Sequence, residues 1–114
     1  MKGSVGEMQK RSVKILKELK ALLFHRFGDE IKQVILFGSR SQGTAQPDSD
    51  YDILVILNND YNWRKEHLIL KTCYEIDLKY DIVTDVKVIS VHELQSIKGQ
   101  QPYIIHAMRE GVAA

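Results

Sequence analysis

The residues with the clearest chemical potential are aspartates that lie between two apolar runs. Asp50 and Asp52 stand one residue apart, after the run Val34–Phe37 and directly before the run Ile53–Leu57. In a strand, side chains at positions i and i+2 point to the same side, so both carboxylates are predicted to project from the same face. Carboxylates on a partly buried face repel each other unless a cation lies between them. Because no His or Cys lies nearby in the sequence, the pair predicts an oxygen-preferring divalent ion such as Mg²⁺, Mn²⁺ or Ca²⁺.

Two other interpretations apply to this acidic segment. In the first, Asp48, Asp50 and Asp52 are ordinary solvated acids of a turn and a strand start. In the second, they begin an EF-hand calcium loop. That loop needs Gly at its sixth position and a bidentate Glu at its twelfth, where this chain has Ile53 and Asn59. The calcium loop is therefore excluded, while the solvated interpretation stays open.

A candidate phosphate site precedes the acids. Gly38 and Ser39 follow an apolar strand, and a turn from such a strand into a helix presents backbone N–H groups that attract phosphate. Gly38 allows close approach to the backbone, and the Ser39 hydroxyl is a further donor. Arg40 either adds charge to this site or is a solvated residue. The segment is neither a Walker P-loop nor a dinucleotide fingerprint, since it lacks both glycine-rich patterns. A phosphate site next to paired acids predicts metal-assisted, in-line attack on a nucleotide phosphate.

The elements that hold these residues are predicted to form an α/β fold, a small mixed sheet flanked by helices. Apolar runs and alternation predict strands, and apolar spacings of three and four predict helices. The predicted strands cover residues 31–37, 50–57 and 82–89, and the predicted helices cover 7–27, 63–79, 91–97 and a segment from 102 onward. In the helix over 63–79, the expected buried stripe is Leu70, Cys73 or Tyr74, and Leu78. Ser90 and Glu93 have the spacing of a capping box.

One acid lies in the middle of a predicted strand. Asp85 shares a strand face with Lys87, because the strand over 82–89 alternates. The acid is either solvated on an open face or a third carboxylate brought beside Asp50 and Asp52. Lys87 either contacts a phosphate or is solvated.

Composition limits the remaining possibilities. A chain of 114 residues predicts one domain, 1–114, and a formal net charge of +1 provides no bulk electrostatic reason to expect nucleic acid binding. Cys73 is the single cysteine, so no disulfide forms within the chain, and a reducing cytoplasm is expected. No run approaches the roughly 18 apolar residues of a membrane span.

The motif as a whole resembles that of a known superfamily. Gly38-Ser39, ten residues and Asp50-Tyr51-Asp52 are similar to the signature of DNA polymerase β-like nucleotidyltransferases. The fuller pattern, Gly38-Ser39-Arg40-x-x-Gly43 followed by Ser49-Asp50-x-Asp52, resembles the minimal nucleotidyltransferase (MNT) branch. The resemblance covers about residues 30–90.

The resemblance implies a polymerase β-like fold, two Mg²⁺ ions (with Mn²⁺ as a substitute) and ATP or another nucleoside triphosphate as substrate. It implies that Asp50 and Asp52 are metal ligands and catalytic residues, and that Gly38, Ser39 and Arg40 bind the nucleotide. It also implies a third acid from a later strand, for which Asp85 is the best match and Asp81 the fallback.

The same branch implies a HEPN-domain toxin as partner and AMP transfer to a hydroxyl group on it, which makes this chain an antitoxin. Apolar residues near the C-terminal helix are then the expected contacts. Two alternatives stay open. In one, the chain is a non-catalytic antitoxin that occludes its partner; in the other, it modifies a small molecule such as an antibiotic.

Overall fold

The structure is a computed structural model that describes residues 2–38 and 50–113, with side chains from residue 10 onward except those of residues 97 and 99. The helices are α1 (Lys2–Phe27), α2 (Trp63–Tyr80), α3 (Val91–Leu94) and α4 (Pro102–Glu110), and the strands are β1 (Ile31–Phe37), β2 (Tyr51–Leu57), β3 (Thr84–Ser90) and β4 (Val112–Ala113). Short 3-10 turns cover Gly28–Glu30 and Ile97–Gln100. The expected α/β fold, a mixed sheet flanked by helices, is confirmed.

The sheet has the strand order β3-β2-β1-β4. Strand β1 runs antiparallel to β2 and to β4, whereas β2 and β3 are parallel and are connected through α2. A parallel pair needs such a crossover, because a tight hairpin joins only antiparallel strands. The register sets Phe37 opposite Asp52, and Asp52 opposite Asp85.

Helices cover both faces of the sheet, which explains the nearly continuous apolar runs of the central strands. Helices α1 and α2 pack on one face, where side chains such as Leu19, Val34 and Val55 form the larger core. Helix α4 packs on the other face through Ile104 and Ala107. Along β2, Tyr51, Ile53, Val55 and Leu57 join the first core, whereas Leu54 and Ile56 join the second.

The predicted buried stripe of α2 is confirmed at Cys73 and is wrong at Leu70 and Leu78. Leu70 and Leu78 are 37% and 66% exposed. The residues that face the core are Ile69, Thr72, Cys73 and Ile76. Adjacent isoleucine and leucine residues made two stripes possible, and one residue corresponds to a rotation of about 100°. Thr72 tolerates burial because its hydroxyl donates to the Leu68 carbonyl at 2.9 Å.

The turn from β3 into α3 has the predicted capping box. The backbone N–H of Glu93 donates to Ser90 Oγ at 3.1 Å, and the Ser90 N–H donates to Glu93 Oε1 at 3.1 Å. The helix ends at Leu94, earlier than predicted. Among the described parts of the chain, no helix is both long and apolar enough to cross a membrane.

Candidate active site

The acids meet at the N-terminal ends of the two parallel strands. Asp52 is the second residue of β2 and Asp85 the second residue of β3, and the two are direct partners in the register. Because the residues on either side of Asp52 face α1 and α2, its own carboxylate lies on the α4 side of the sheet. Asp50 lies two residues earlier and is exposed. The fold therefore brings the parallel strand with Asp85 beside Asp52.

The electrostatic environment of Asp52 is dominated by burial and by other acids. Burial raises the pKa of the Asp52 carboxyl above its usual range, and the negative charges of Asp85 and Asp50 raise that pKa further. The positive charges of Lys87 and His106 act in the opposite direction and are the smaller effects. Binding of an additional cation next to the ionised Asp52 carboxylate would therefore be favourable.

The end of β1 is packed directly against this carboxylate. Gly38 has a φ of +72°, a left-handed conformation that favours glycine. A Cβ atom placed on Gly38 would overlap Asp52 Oδ2 and would lie 3.3 Å from Asp52 Cγ. The backbone at the start of the predicted phosphate turn therefore lies so close to Asp52 that only glycine fits at position 38. Ser39 and Arg40, the other predicted nucleotide-binding residues, lie outside the described residues.

The two candidates for the third acid occupy different places. Asp81 is the C-cap of α2, with φ 53° and ψ 53°, and its N–H donates to the Asp77 carbonyl. It precedes β3, and among the described residues no residue of β2 pairs with it. Asp85 lies in the strand beside Asp52, so Asp85 stays the first prediction for the third acid and Asp81 the fallback.

A lysine and a histidine complete the surroundings of the acids. Lys87 Nζ lies 3.3 Å from Asp85 Oδ1, and both side chains are about half exposed. His106 on α4 packs edge-on against Phe37, the register partner of Asp52, with ring centroids 6.4 Å apart. The sequence offered no partner for His106, because only the packing of α4 across the sheet brings this side chain near Asp52.

The chemistry of the donors suits a hard divalent ion. Carboxylate oxygens are the preferred ligands of Mg²⁺ and Mn²⁺, and Asp52 is the carboxylate on which the other negative charges converge. Within residues 2–38 and 50–113, however, no three His, Cys, Asp or Glu side chains are gathered around one point as metal ligands. Asp50, Asp52 and Asp85 are therefore chemically suitable candidates, and their joint ligation stays a prediction.

Comparison with protein families matches residues 17–106 to the family described as polymerase beta, nucleotidyltransferase. The chain belongs to this nucleotidyltransferase family. The resemblance first indicated by the Gly-Ser and Asp-x-Asp motif is thereby confirmed, and so is the expectation of a nucleotidyltransferase enzyme.

Two relatives come from the archaeon Methanocaldococcus jannaschii. The "putative protein adenylyltransferase MJ0141" is 32% identical over 71 residues, which cover 62% of this chain and 72% of the relative. The "putative protein adenylyltransferase MJ0604" is 29% identical over 98 residues, which cover 86% and 92% of the two chains.

Solved structures share the fold of this nucleotidyltransferase. A "putative nucleotidyltransferase" from Sulfolobus solfataricus has a TM-score of 0.62 and 22% identity, over 96% of this chain and 85% of its own. A toxin–antitoxin complex with AMP-PNP contains a chain with a TM-score of 0.58 and 21% identity, over 85% of this chain and 69% of its own. At these identities the comparison establishes the fold alone.

Proposed function

We propose that this nucleotidyltransferase transfers AMP from ATP, with Mg²⁺, to a hydroxyl group on a partner protein. The observation that carries the proposal is the register pair of Asp52 and Asp85, with Asp50 beside it and the Gly38 backbone packed against Asp52. This juxtaposition supports the proposal because Gly38, the first residue of the predicted phosphate turn, lies against one of the carboxylates. Such a set of carboxylates is suited to a nucleotide phosphate and its metal ions.

Each residue has a proposed task in this reaction. The turn that begins with Gly38 and Ser39 binds the β- and γ-phosphates through backbone N–H groups, with Arg40 as an added charge. Asp50, Asp52 and Asp85 would hold the two Mg²⁺ ions. When bound, the metal ions neutralise charge that develops on the attacking and leaving oxygens.

The proposed transfer balances as a single displacement. The acceptor hydroxyl oxygen forms a bond to the α-phosphorus, the bond from that phosphorus to the bridging oxygen breaks, and pyrophosphate leaves. The hydroxyl proton passes to Asp85, which is half exposed and can return it to water. The product is a phosphodiester between AMP and the acceptor.

We propose that the acceptor is a HEPN-type toxin and that this chain acts as its antitoxin in the cytoplasm. Two observations support a protein acceptor and ATP. The relatives in Methanocaldococcus jannaschii carry the name of protein adenylyltransferases, and one structural neighbour is a toxin–antitoxin complex with AMP-PNP. A reducing compartment suits a chain whose single cysteine cannot form an internal disulfide. Burial raises the pKa of the Cys73 thiol to about 12 and keeps it protonated, which argues against a catalytic role for it.

The partner is proposed to contact the exposed apolar residues of α4. Ile105 and Met108 are 43% and 45% exposed, and they share this helix with His106 beside the acids. A partner on this surface would have its acceptor hydroxyl close to Asp52 and Asp85. A second apolar surface lies on α2, on the opposite side of the sheet, where Trp63 is 72% exposed. Because it is far from the acids, a substitution there serves as the control for a substitution on α4.

The non-catalytic alternative remains a second candidate for the antitoxin activity. Occlusion of a toxin needs the apolar contacts but not the acids. The position of Asp52 argues against it, because acids that burial and neighbouring negative charges make harder to ionise are unfavourable for the fold unless they serve chemistry. A small-molecule acceptor is a third candidate, and saturable transfer of AMP to an antibiotic would identify it.

The test is label transfer from α-³²P-ATP with Mg²⁺ to the product of the neighbouring gene, supplied purified or in host lysate. Wild type, Asp50→Asn/Asp52→Asn and Met108→Glu are compared, with Trp63→Glu as the matched surface control. The proposal predicts a labelled protein, identified by mass spectrometry, with wild type and Trp63→Glu but not with the other two variants. Partner binding by wild type and Asp50→Asn/Asp52→Asn without any label would refute the catalytic proposal and support occlusion.

A further inference from the structure

The ammonium group of Lys87 lies beside the carboxylates of the candidate site. Lys87 follows Asp85 by two residues on the same strand face, and its Nζ lies 3.3 Å from Asp85 Oδ1. Its positive charge also acts on Asp52, in the adjacent strand. The proposed function assigns no task to this side chain.

We propose that Lys87 has a different role in each of two states of the site. Before metal ions bind, its ammonium group neutralises the acids. After metal ions have bound, it binds the phosphates of the nucleotide. The inference rests on the proposed function. It concerns a residue that the motif itself does not contain.

The first part of the proposal follows from the local charge balance. The charged groups that act at Asp52 are the acids Asp50 and Asp85, and the cations Lys87 and His106. His106 Nδ1 is 3.2 Å from Glu110 Oε2 on α4, so an acid of its own helix also lies beside this ring. Among the described residues, Lys87 is therefore the larger of the two positive influences on Asp52. Without it, the negative charges of Asp50 and Asp85 at Asp52 would be opposed chiefly by the smaller effect of His106.

The second part follows from the competition between two kinds of cation. A divalent ion at the carboxylates repels the ammonium group, with an energy that varies inversely with the separation and with the effective dielectric constant. Lys87 is free to respond, because 47% of its side chain is exposed and its stem has four rotatable carbons. Once a metal ion displaces the ammonium from Asp85, a nucleotide triphosphate held beside Gly38 and Asp52 would offer it another anion to bind.

These two roles predict opposite effects of one substitution. Lys87→Met keeps the length of the side chain and removes its charge. Without nucleotide, the acids then bind Mn²⁺ about tenfold more tightly, because one repelling charge is absent. With Mg²⁺ present, the variant binds a non-hydrolysable ATP analogue about tenfold more weakly, because a charge-assisted phosphate contact is lost. Lys87→Arg keeps the charge and is expected to stay within a few-fold of wild type in both measurements.

The experiment measures free Mn²⁺ by electron paramagnetic resonance, and analogue binding by calorimetry. The matched control is Lys65→Met, since Lys65 also forms an ion pair, with Glu30 at 2.9 Å, but on another part of the molecule. Neither constant should change in that variant. Asp50→Asn/Asp52→Asn tests the metal assignment itself.

The outcomes separate this inference from the function on which it rests. Tighter Mn²⁺ binding together with weaker analogue binding in Lys87→Met supports the proposal. If Lys87→Met leaves both constants unchanged, or moves them in the same direction, while Asp50→Asn/Asp52→Asn loses Mn²⁺, the Lys87 role is refuted and the metal site stands. If Mn²⁺ binding persists in Asp50→Asn/Asp52→Asn, the metal assignment is wrong, and the Lys87 role is refuted with it.

Discussion

Replacement of Gly38 by alanine tests the close approach between the predicted phosphate turn and the acids. Alanine in a left-handed conformation costs about 1–2 kcal/mol, and Gly38 has a φ of +72°. Its Cβ would also overlap the Asp52 carboxylate, which then has to move. Because that side chain is only partly buried, we add up to about 1 kcal/mol for its displacement. The expected loss of unfolding free energy is therefore about 1–3 kcal/mol, together with a strong loss of AMP transfer.

A double-mutant cycle measured by urea unfolding separates these two contributions. In an Asp52→Ala background the overlap is absent, so Gly38→Ala should cost only the backbone part, and the two substitutions should couple by about 0.5–1 kcal/mol. Gly28→Ala is the matched control, because Gly28 also has a positive φ, +55°, but has open space where a Cβ would lie. It should show the backbone cost, no coupling to Asp52 and full activity. Additive behaviour of Gly38→Ala and Asp52→Ala would contradict the contact on which the site geometry rests.

Three further predictions concern stability. Ile76→Ala should cost about 2–5 kcal/mol, and Leu78→Ala less than about 0.5 kcal/mol, in urea unfolding; equal costs would contradict the observed stripe of α2. Because the folded state raises the pKa of Asp52, folding stability should fall as the pH rises through that pKa. Asp52→Asn should therefore stabilise the protein at pH 7 but not below the unfolded pKa of about 3.9, and thermal melts across this pH range that show no gain at pH 7 would disprove it. Ser90→Ala should lower the free energy of unfolding by about 1 kcal/mol, because the hydrogen bond from the Glu93 N–H to Ser90 Oγ is lost. A melting temperature equal to that of wild type would contradict this.

The sequence was sufficient for the elements whose patterns are unambiguous. Strand β1 was predicted with its observed bounds, Ile31–Phe37, because a continuous apolar run stops at a glycine. Strand β2 was predicted within one residue, and its alternation correctly set Asp52 apart from the core that Ile53 and Val55 join. The motif of Gly38, Asp50 and Asp52 was specific enough to indicate the family, because residue types, spacing and flanking strands all agree.

Other features depended on contacts that no local pattern encodes. The stripe of α2 was predicted correctly at Cys73 but not at Leu70, because Ile69 and Leu70 are similarly apolar and only packing against the sheet selects between them. Strand β4 has two residues, and it forms because Gly111 allows the chain to turn tightly against Ile35. His106 acquires its place beside Asp52 only through the crossing of α4 over the sheet. Such arrangements come from tertiary structure, so a single sequence cannot specify them.

The most direct test of the central claim is to follow two labels of ATP in parallel, one at the α-phosphate and one at the γ-phosphate, with wild-type protein, Mg²⁺ and the partner. The proposed attack at the α-phosphorus predicts that the partner retains the α-label, while the γ-label leaves in pyrophosphate in equal amount. Retention of the γ-label on the partner would show phosphoryl transfer and contradict the account. So would release of both labels into solution with an unmodified partner.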